Sequence, residues 1–252
     1  MADWYKFVLY YLWIAPHILL AVVPVLMFVR RLHTNFPLFF AYSLYETLIF
    51  LLLFSITRIA PAQGVLYRYV YIATLTGSTA LRFGVIQEIF INVFQDYPRL
   101  ESLALASTRW LTGLLVVAAV GVALYSSGTL SNNVMAGVAL LTRSVTIIQA
   151  GLLVFLFLFP RMFGLSWRSY TFGIAFGFAI FASTELAFWA VRLTDPSEHS
   201  KSLLDLLPTG SYHVSVLVWL GYLLAAEKPV GAATYPVPEM DQWSGELERN
   251  PQ

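Results

Sequence analysis

Seven side chains able to carry charge or to ligate lie inside long apolar runs: His17, Glu46, Arg82, Glu88, Arg143, Glu185 and His213. A charged group at the centre of a membrane-spanning helix costs about 2.5–3.5 kcal/mol on insertion scales, so such groups face each other or a wet cavity and not lipid. Arginine stays protonated, and its planar fork can hold a carboxylate through two parallel hydrogen bonds. The carboxylates can also take up protons or cations. Running the helices alternately down and up places His17, Glu46, Arg82 and Arg143 near mid-depth, with Glu185 and His213 in the outer half. One shared intramembrane ligand cluster is therefore expected, in which two carboxylates balance two guanidiniums. The plainer alternative is polar glue that only fixes which helix packs where.

Neighbouring residues extend the pattern. Thr74, Ser78, Leu81, Val85, Glu88 and Asn92 follow four-three spacing, which lines them along one side of a helix expected to look inward. Thr142, Thr146 and Gln149 do the same beside Arg143. Gly173 and Gly177 form a small-xxx-small pair that permits close helix contact. Pro16 and Pro24 should kink or loosen the first apolar run, and a carbonyl freed by Pro24 could join a cavity.

Several chemistries drop out. The chain has no cysteine, which removes disulfides, iron–sulfur clusters, cysteine-zinc sites and thiol catalysis. Its four histidines form no H-x-x-x-H or H-E-x-x-H pattern, so no metal is expected. A two-histidine haem site on His17 and His213 has nothing in the spacing to separate it from coincidence, and no cofactor is called for. A retinal Schiff base would need a lysine within the last apolar run, whereas Lys201 and Lys228 flank it. Walker, G-x-S-x-G and dinucleotide fingerprints are missing, and no catalytic motif points to an enzyme. The net charge of +1 offers no basic field for nucleic acid.

The elements that must position these residues are apolar to a degree no soluble core can absorb. The 252 residues are 58% hydrophobic and only 12% charged, against roughly 25% charged in soluble domains. Seven runs approach the roughly 20 residues needed to cross a bilayer: Phe7 to Val29, Phe36 to Ile56, Tyr67 to Phe94, Leu103 to Tyr125, Val134 to Phe159, Tyr170 to Val191, and Leu207 to Ala226. Trp4 and Tyr5 sit where an interfacial aromatic belt would place them. The first run is too long for a signal-peptide h-region and lacks a clear cleavage site, so it is expected to stay as a span. Short turn-forming connections separate the runs, and only Thr194 to Asp205 leaves room for structure outside the membrane. The expected organisation is an all-α, seven-span transmembrane domain over residues 1–226. A proline-containing acidic tail follows over 227–252, disordered or lying on the surface. With the N-terminus outside, Arg30, Arg31, Arg99, Arg109, Arg161, Arg168 and Lys228 fall on the cytoplasmic side. Lys6, Arg58, Arg68, Arg192 and Lys201 then fall outside, a bias strengthened by the doublet straight after the first run.

The stretch from Arg30 through Phe36-Pro37 to Tyr42, together with Gln87-Glu88-Ile89-Phe90 and Phe94-Gln95-Asp96-Tyr97-Pro98, resembles a family of uncharacterised bacterial seven-helix integral membrane proteins. The resemblance covers the helical part and not the tail. It implies the topology and a bacterial inner-membrane setting, and transfers no activity, substrate or site. The functional expectation is a membrane-embedded module that senses or binds a small-molecule ligand. Because the tail is too short for an output domain, output would pass through a protein partner or a second copy. A small proton- or ion-coupled secondary transporter is the first alternative and an accessory membrane subunit the second. The lipid bilayer is the constant partner in all three.

Overall fold

The structure, a computed structural model, describes residues 3–59, 65–94, 117, 130–158, 168–194 and 206–225, and all regular structure among them is helical. Six long helices appear: α1 (Asp3–Val29), α2 (Pro37–Ile59), α3 (Val65–Phe94), α4 (Leu130–Leu158), α5 (Tyr170–Thr194) and α6 (Leu206–Leu224), with a single 3-10 turn, Leu32–Thr34, between α1 and α2. Each coincides with one of the apolar runs. The fourth run, Leu103 to Tyr125, lies outside the described residues apart from Val117, and so does the tail from Glu227. Four helices are long and apolar enough to cross a membrane, through Phe7–Val29, Pro37–Ile56, Val134–Gly151 and Tyr170–Val191. The more polar α3 and the shorter α6 pack among them. Burial is inverted relative to a soluble protein: Phe7, Phe28, Leu48, Val154 and Leu158 are exposed, while Arg82, Glu88, Thr146 and Gln149 are buried. That inversion is what a lipid solvent selects, since apolar surface is free to face it and unsatisfied polar groups are not.

Neighbour contacts close a ring: α1 packs on α2, α2 on α3, α3 on α4, α4 on α5, α5 on α6, and α6 back on α1, with α3 also touching α5. The side-chain pairs fix directions. Trp13 meets Phe54 while His17 meets Phe50, so α1 and α2 are antiparallel, as are α2 and α3, where Leu38 meets Glu88 and Glu46 meets Ser78. Antiparallel pairing continues through α4 and α5 (Thr146 with Glu185, Phe157 with Phe172) and through α5 and α6 (Gly177 with Ser215, Ile174 with Trp219). By contrast α6 runs parallel to α1, with Tyr11 at His213 and Arg30 at Leu224. These directions together make α3 and α4 parallel.

Local chemistry explains the ends. Both prolines lie inside an α1 that continues unbroken through them. At its end Arg31 takes a left-handed conformation, φ 57°, the one described non-glycine residue with positive φ, and turns the chain into the short 3-10 element. Arg30 donates from Nη2 to Leu224 O at 3.0 Å and from Nη1 to Ala225 O at 3.3 Å, capping the α6 carbonyls that have no helical partner.

The packed core joins α2, α5 and α6 around Trp219, whose ring meets Phe39, Tyr42 and Phe178 at 5.3, 6.2 and 4.9 Å. Gly173 and Gly177 make this possible. A Cβ on Gly173 would strike the Tyr222 ring and one on Gly177 would strike the Trp219 indole. The small-xxx-small pair thus receives two aromatic rings. Trp219 Nε1 then donates to Ile174 O at 3.1 Å, and Ser215 Oγ to Gly177 O at 2.8 Å.

Candidate functional site

Arg82 is the hub. It lies on α3, 4% exposed, and its Nη1 donates to Glu185 Oε2 of α5 at 3.3 Å. The same carboxylate oxygen accepts from Thr146 Oγ1 of α4 at 3.0 Å, so one anion gathers three helices. The guanidinium also lies 5.2 Å from the centre of the Phe181 ring. Beside it Thr79 and Thr142 share a 3.0 Å hydroxyl contact, and Gln149 Nε2 donates to Phe178 O at 3.2 Å. Arg82 Nε and Gln149 Oε1 are buried without a partner among the described residues. The hydroxyls of Tyr42 and Tyr212 face each other in the same charged neighbourhood. The Tyr212 hydroxyl is buried without a hydrogen-bond partner among the described residues.

Glu46 occupies α2, nine residues from Pro37 and thirteen from Ile59, or about 14 and 20 Å from the two ends. Ser78 of α3 donates its hydroxyl to the Glu46 carboxylate. Above this pair a cavity of about 260 Å³ opens between α1, α2 and α3. Its floor is Glu46 and Ser78, and its walls are mainly rings: Trp13, His17, Phe50, Tyr67 and Tyr71. His17 stacks on Phe50 at 4.2 Å with 14° between the planes, and Tyr67 on Tyr71 at 6.3 Å with 11°. His17 Nδ1 lies 2.8 Å from Trp13 O. A carbonyl can only accept, so Nδ1 carries the proton and Nε2 of the neutral ring is left as an acceptor.

Four of the seven expected residues thus gather around two adjoining features: Arg82 with Glu185, and Glu46 with His17. The other three are placed elsewhere. Glu88 accepts from the backbone N–H groups of Leu38 and Phe39 at 2.7 and 2.9 Å, so it caps the start of α2, which begins at Pro37 with no polar residue before it. Arg143 is exposed, its guanidinium 4.1 Å from the centre of the Trp189 ring. At 3.6 residues per turn it lies about 100° from Thr142 and about 60° from Thr146, and its guanidinium turns outward onto Trp189. The expected balance of two guanidiniums against two carboxylates is therefore not formed. His213 packs edge-on against Tyr11 at 5.5 Å while His17 stacks on Phe50, so each imidazole has its own separate setting.

The α3 stripe faces α2 and the turn before it along its length. The Thr74 carbonyl receives Tyr45, Ser78 bonds Glu46, Glu88 bonds Leu38, and Asn92 donates to Asn35 O at 3.4 Å. Sequence reasoning missed the aromatic walls. Their signal was present as i,i+4 pairs on three helices: Trp13 with His17, Glu46 with Phe50, and Tyr67 with Tyr71.

An all-helical bundle with four membrane-capable helices, apolar outside and polar within, defines the class as an α-helical membrane protein. Comparison with protein-family models, with curated proteins and with solved structures finds no match.

Proposed function

We propose that the chain is a seven-span protein of a bacterial inner membrane, N-terminus outside and C-terminus inside, that binds a small ligand in the α1–α2–α3 cleft and signals through a protein partner. The odd span number is supported by direction. Because α3 and α4 run parallel, α3 ends on the face opposite to the one where α4 starts, which favours an odd number of crossings between them. The apolar run Leu103 to Tyr125 has the length for one. The Arg30-Arg31 doublet after α1 supports the orientation. The bacterial setting rests on the sequence resemblance alone.

The binding reading is carried by one observation: the polar floor of the cleft lies one helical turn from an ion pair that reaches helices the cleft does not touch. Glu46 is held by Ser78, which lies one turn from Arg82, whose partner Glu185 sits on α5 and is shared with Thr146 of α4. A ligand at Glu46 competes for the Ser78 hydroxyl and changes the electrostatic field at Arg82 one turn away. Polar glue alone needs no cavity beside it. Native mass spectra of protein taken gently from its membrane test this directly. A reproducible small-molecule mass is expected on the wild type and not on Glu46→Gln. An apo wild type, or the same mass on the variant, overturns the reading.

A second reading is favoured by the charge count. Glu46 and Glu185 share one buried guanidinium now that Arg143 points elsewhere, and such a surplus carboxylate suits a small secondary transporter in which Glu46 exchanges a proton or cation as access alternates. Proteoliposomes separate the two. Flux that Glu46→Gln abolishes favours the carrier, whereas binding without flux favours the sensor.

A further inference from the structure

Resting on the reading of the cleft as a binding site, we infer that its ligand is a small organic ammonium ion. The lining disfavours anions: among the described residues Glu46 is the one charged group that borders the cleft, and no arginine or lysine does. Half of the side-chain hydrogen-bond donors in its described lining are already committed. Ser78 spends its hydroxyl on Glu46, Thr74 Oγ1 donates to Tyr71 O at 2.9 Å, and His17 Nδ1 donates to Trp13 O. What these groups turn to the cavity is lone pairs, and the Glu46 carboxylate and His17 Nε2 are acceptors a protonated amine can satisfy. Only the Trp13 indole and the two tyrosine phenols bring further donors.

The walls select in the same direction. Trp13, Tyr67, Tyr71 and Phe50 present electron-rich rings, and a cation over such a face is attracted by the ring quadrupole, more strongly as water is excluded. Charge balance adds the third argument. With both carboxylates ionised, the polar centre carries two negative charges against the single Arg82, because Arg143 lies over Trp189 on the outside. A buried anion without a counter-charge is expensive, and a bound cation supplies one. Size limits the ligand to a few carbons, since about 260 Å³ falls below the roughly 300–1,000 Å³ of pockets for drug-sized molecules.

The test uses the full chain in a neutral maltoside detergent, with calorimetric titration of choline, n-butylammonium, butyrate and 3,3-dimethylbutan-1-ol, which has the shape of choline with carbon in place of nitrogen. The ammonium ions are expected to bind, with the neutral isostere and butyrate at least tenfold weaker. Glu46→Gln should weaken the cations at least tenfold and leave the neutral compound unchanged. Should Glu46→Gln fold poorly, Trp13→Leu serves, again with a loss confined to the cations. Equal binding of choline and its neutral isostere, or cation affinity unmoved by both variants, overturns the ligand class while leaving the cleft a binding site. Silence from all four probes also overturns the class. The broader reading then stands or falls on whether a mass is retained in native spectra.

Discussion

The α5–α6 seam and the α1–α2–α3 cleft are built from the same kind of side chain and end in opposite states. In the seam, Gly173 and Gly177 remove the Cβ atoms that would meet Tyr222 and Trp219, so each ring closes against the facing helix. In the cleft the rings stack on one another, His17 on Phe50 and Tyr67 on Tyr71, and a cavity of about 260 Å³ remains between the pairs. Aromatic content alone therefore does not decide whether a membrane interior is filled. The residue facing each ring does.

The largest effects should come from the seam. Trp219 is 1% exposed and touches three other rings, so Trp219→Ala is expected to lower stability by about 3–5 kcal/mol, as large-to-small core changes do. Gly177→Val pushes a branched side chain into the same indole and should cost about 1–3 kcal/mol. The control is Gly221→Ala or Gly151→Ala, where an added Cβ meets nothing and the helix gains up to about 1 kcal/mol in propensity. Unfolding titrations in mixed micelles read all four. Equal costs at Gly177 and Gly221 would show that the seam is not closed by these contacts.

Next in size is the pair that sits between the two regions. Arg82→Met alone leaves the Glu185 carboxylate in the interior with only Thr146, and should cost about 3 kcal/mol. Adding Glu185→Gln removes the stranded charge, and the double variant is expected to recover most of the loss. A double variant no better than the single would mean that Glu185 does not answer to Arg82. If stability returns but cellular function does not, packing is excluded as the only role of the pair.

How much of this was legible in the sequence depends on whether rotation mattered. The six helices were readable as apolar runs, because length and hydropathy need no neighbour to be interpreted. The α3 stripe was readable too, since four-three spacing fixes a face, though not that α2 would cover it. Arg143 was misplaced because depth was counted and side-chain direction was not: at the level of Thr142 and Thr146, about 100° from the first and about 60° from the second, its exposed guanidinium lies over Trp189. Glu88 was drawn into the cluster by its charge. The readable signal of its role lay fifty residues earlier, where Phe36-Pro37 opens a helix without Ser, Thr, Asp or Asn to cap it. An uncapped start inside a membrane bundle has to borrow its acceptor from another element. Glu88→Gln keeps one oxygen but loses the charge at the amino end of α2, and is expected to cost about 1–2 kcal/mol, with exchange protection falling at Leu38 and Phe39.

The smallest stability effect sharpens the comparison most, because it repeats the first substitution in the other region. Trp13 is 40% exposed and meets Phe50 and Phe54 at 5.7 and 6.0 Å, with the cavity on one side. Its removal forfeits aromatic contacts worth about 0.5–1.5 kcal/mol and enlarges a space that already exists. Creating a void in a filled core carries the larger penalty. Trp13→Ala is therefore expected to cost about 1 kcal/mol, well below Trp219→Ala in the same assay. If the two tryptophans cost the same, the cleft is as tightly packed in the membrane as the seam, and it offers no room for a ligand. If Trp13 proves nearly neutral, its ring is held in place by something other than folding, and a bound cation across its face is the use the geometry offers.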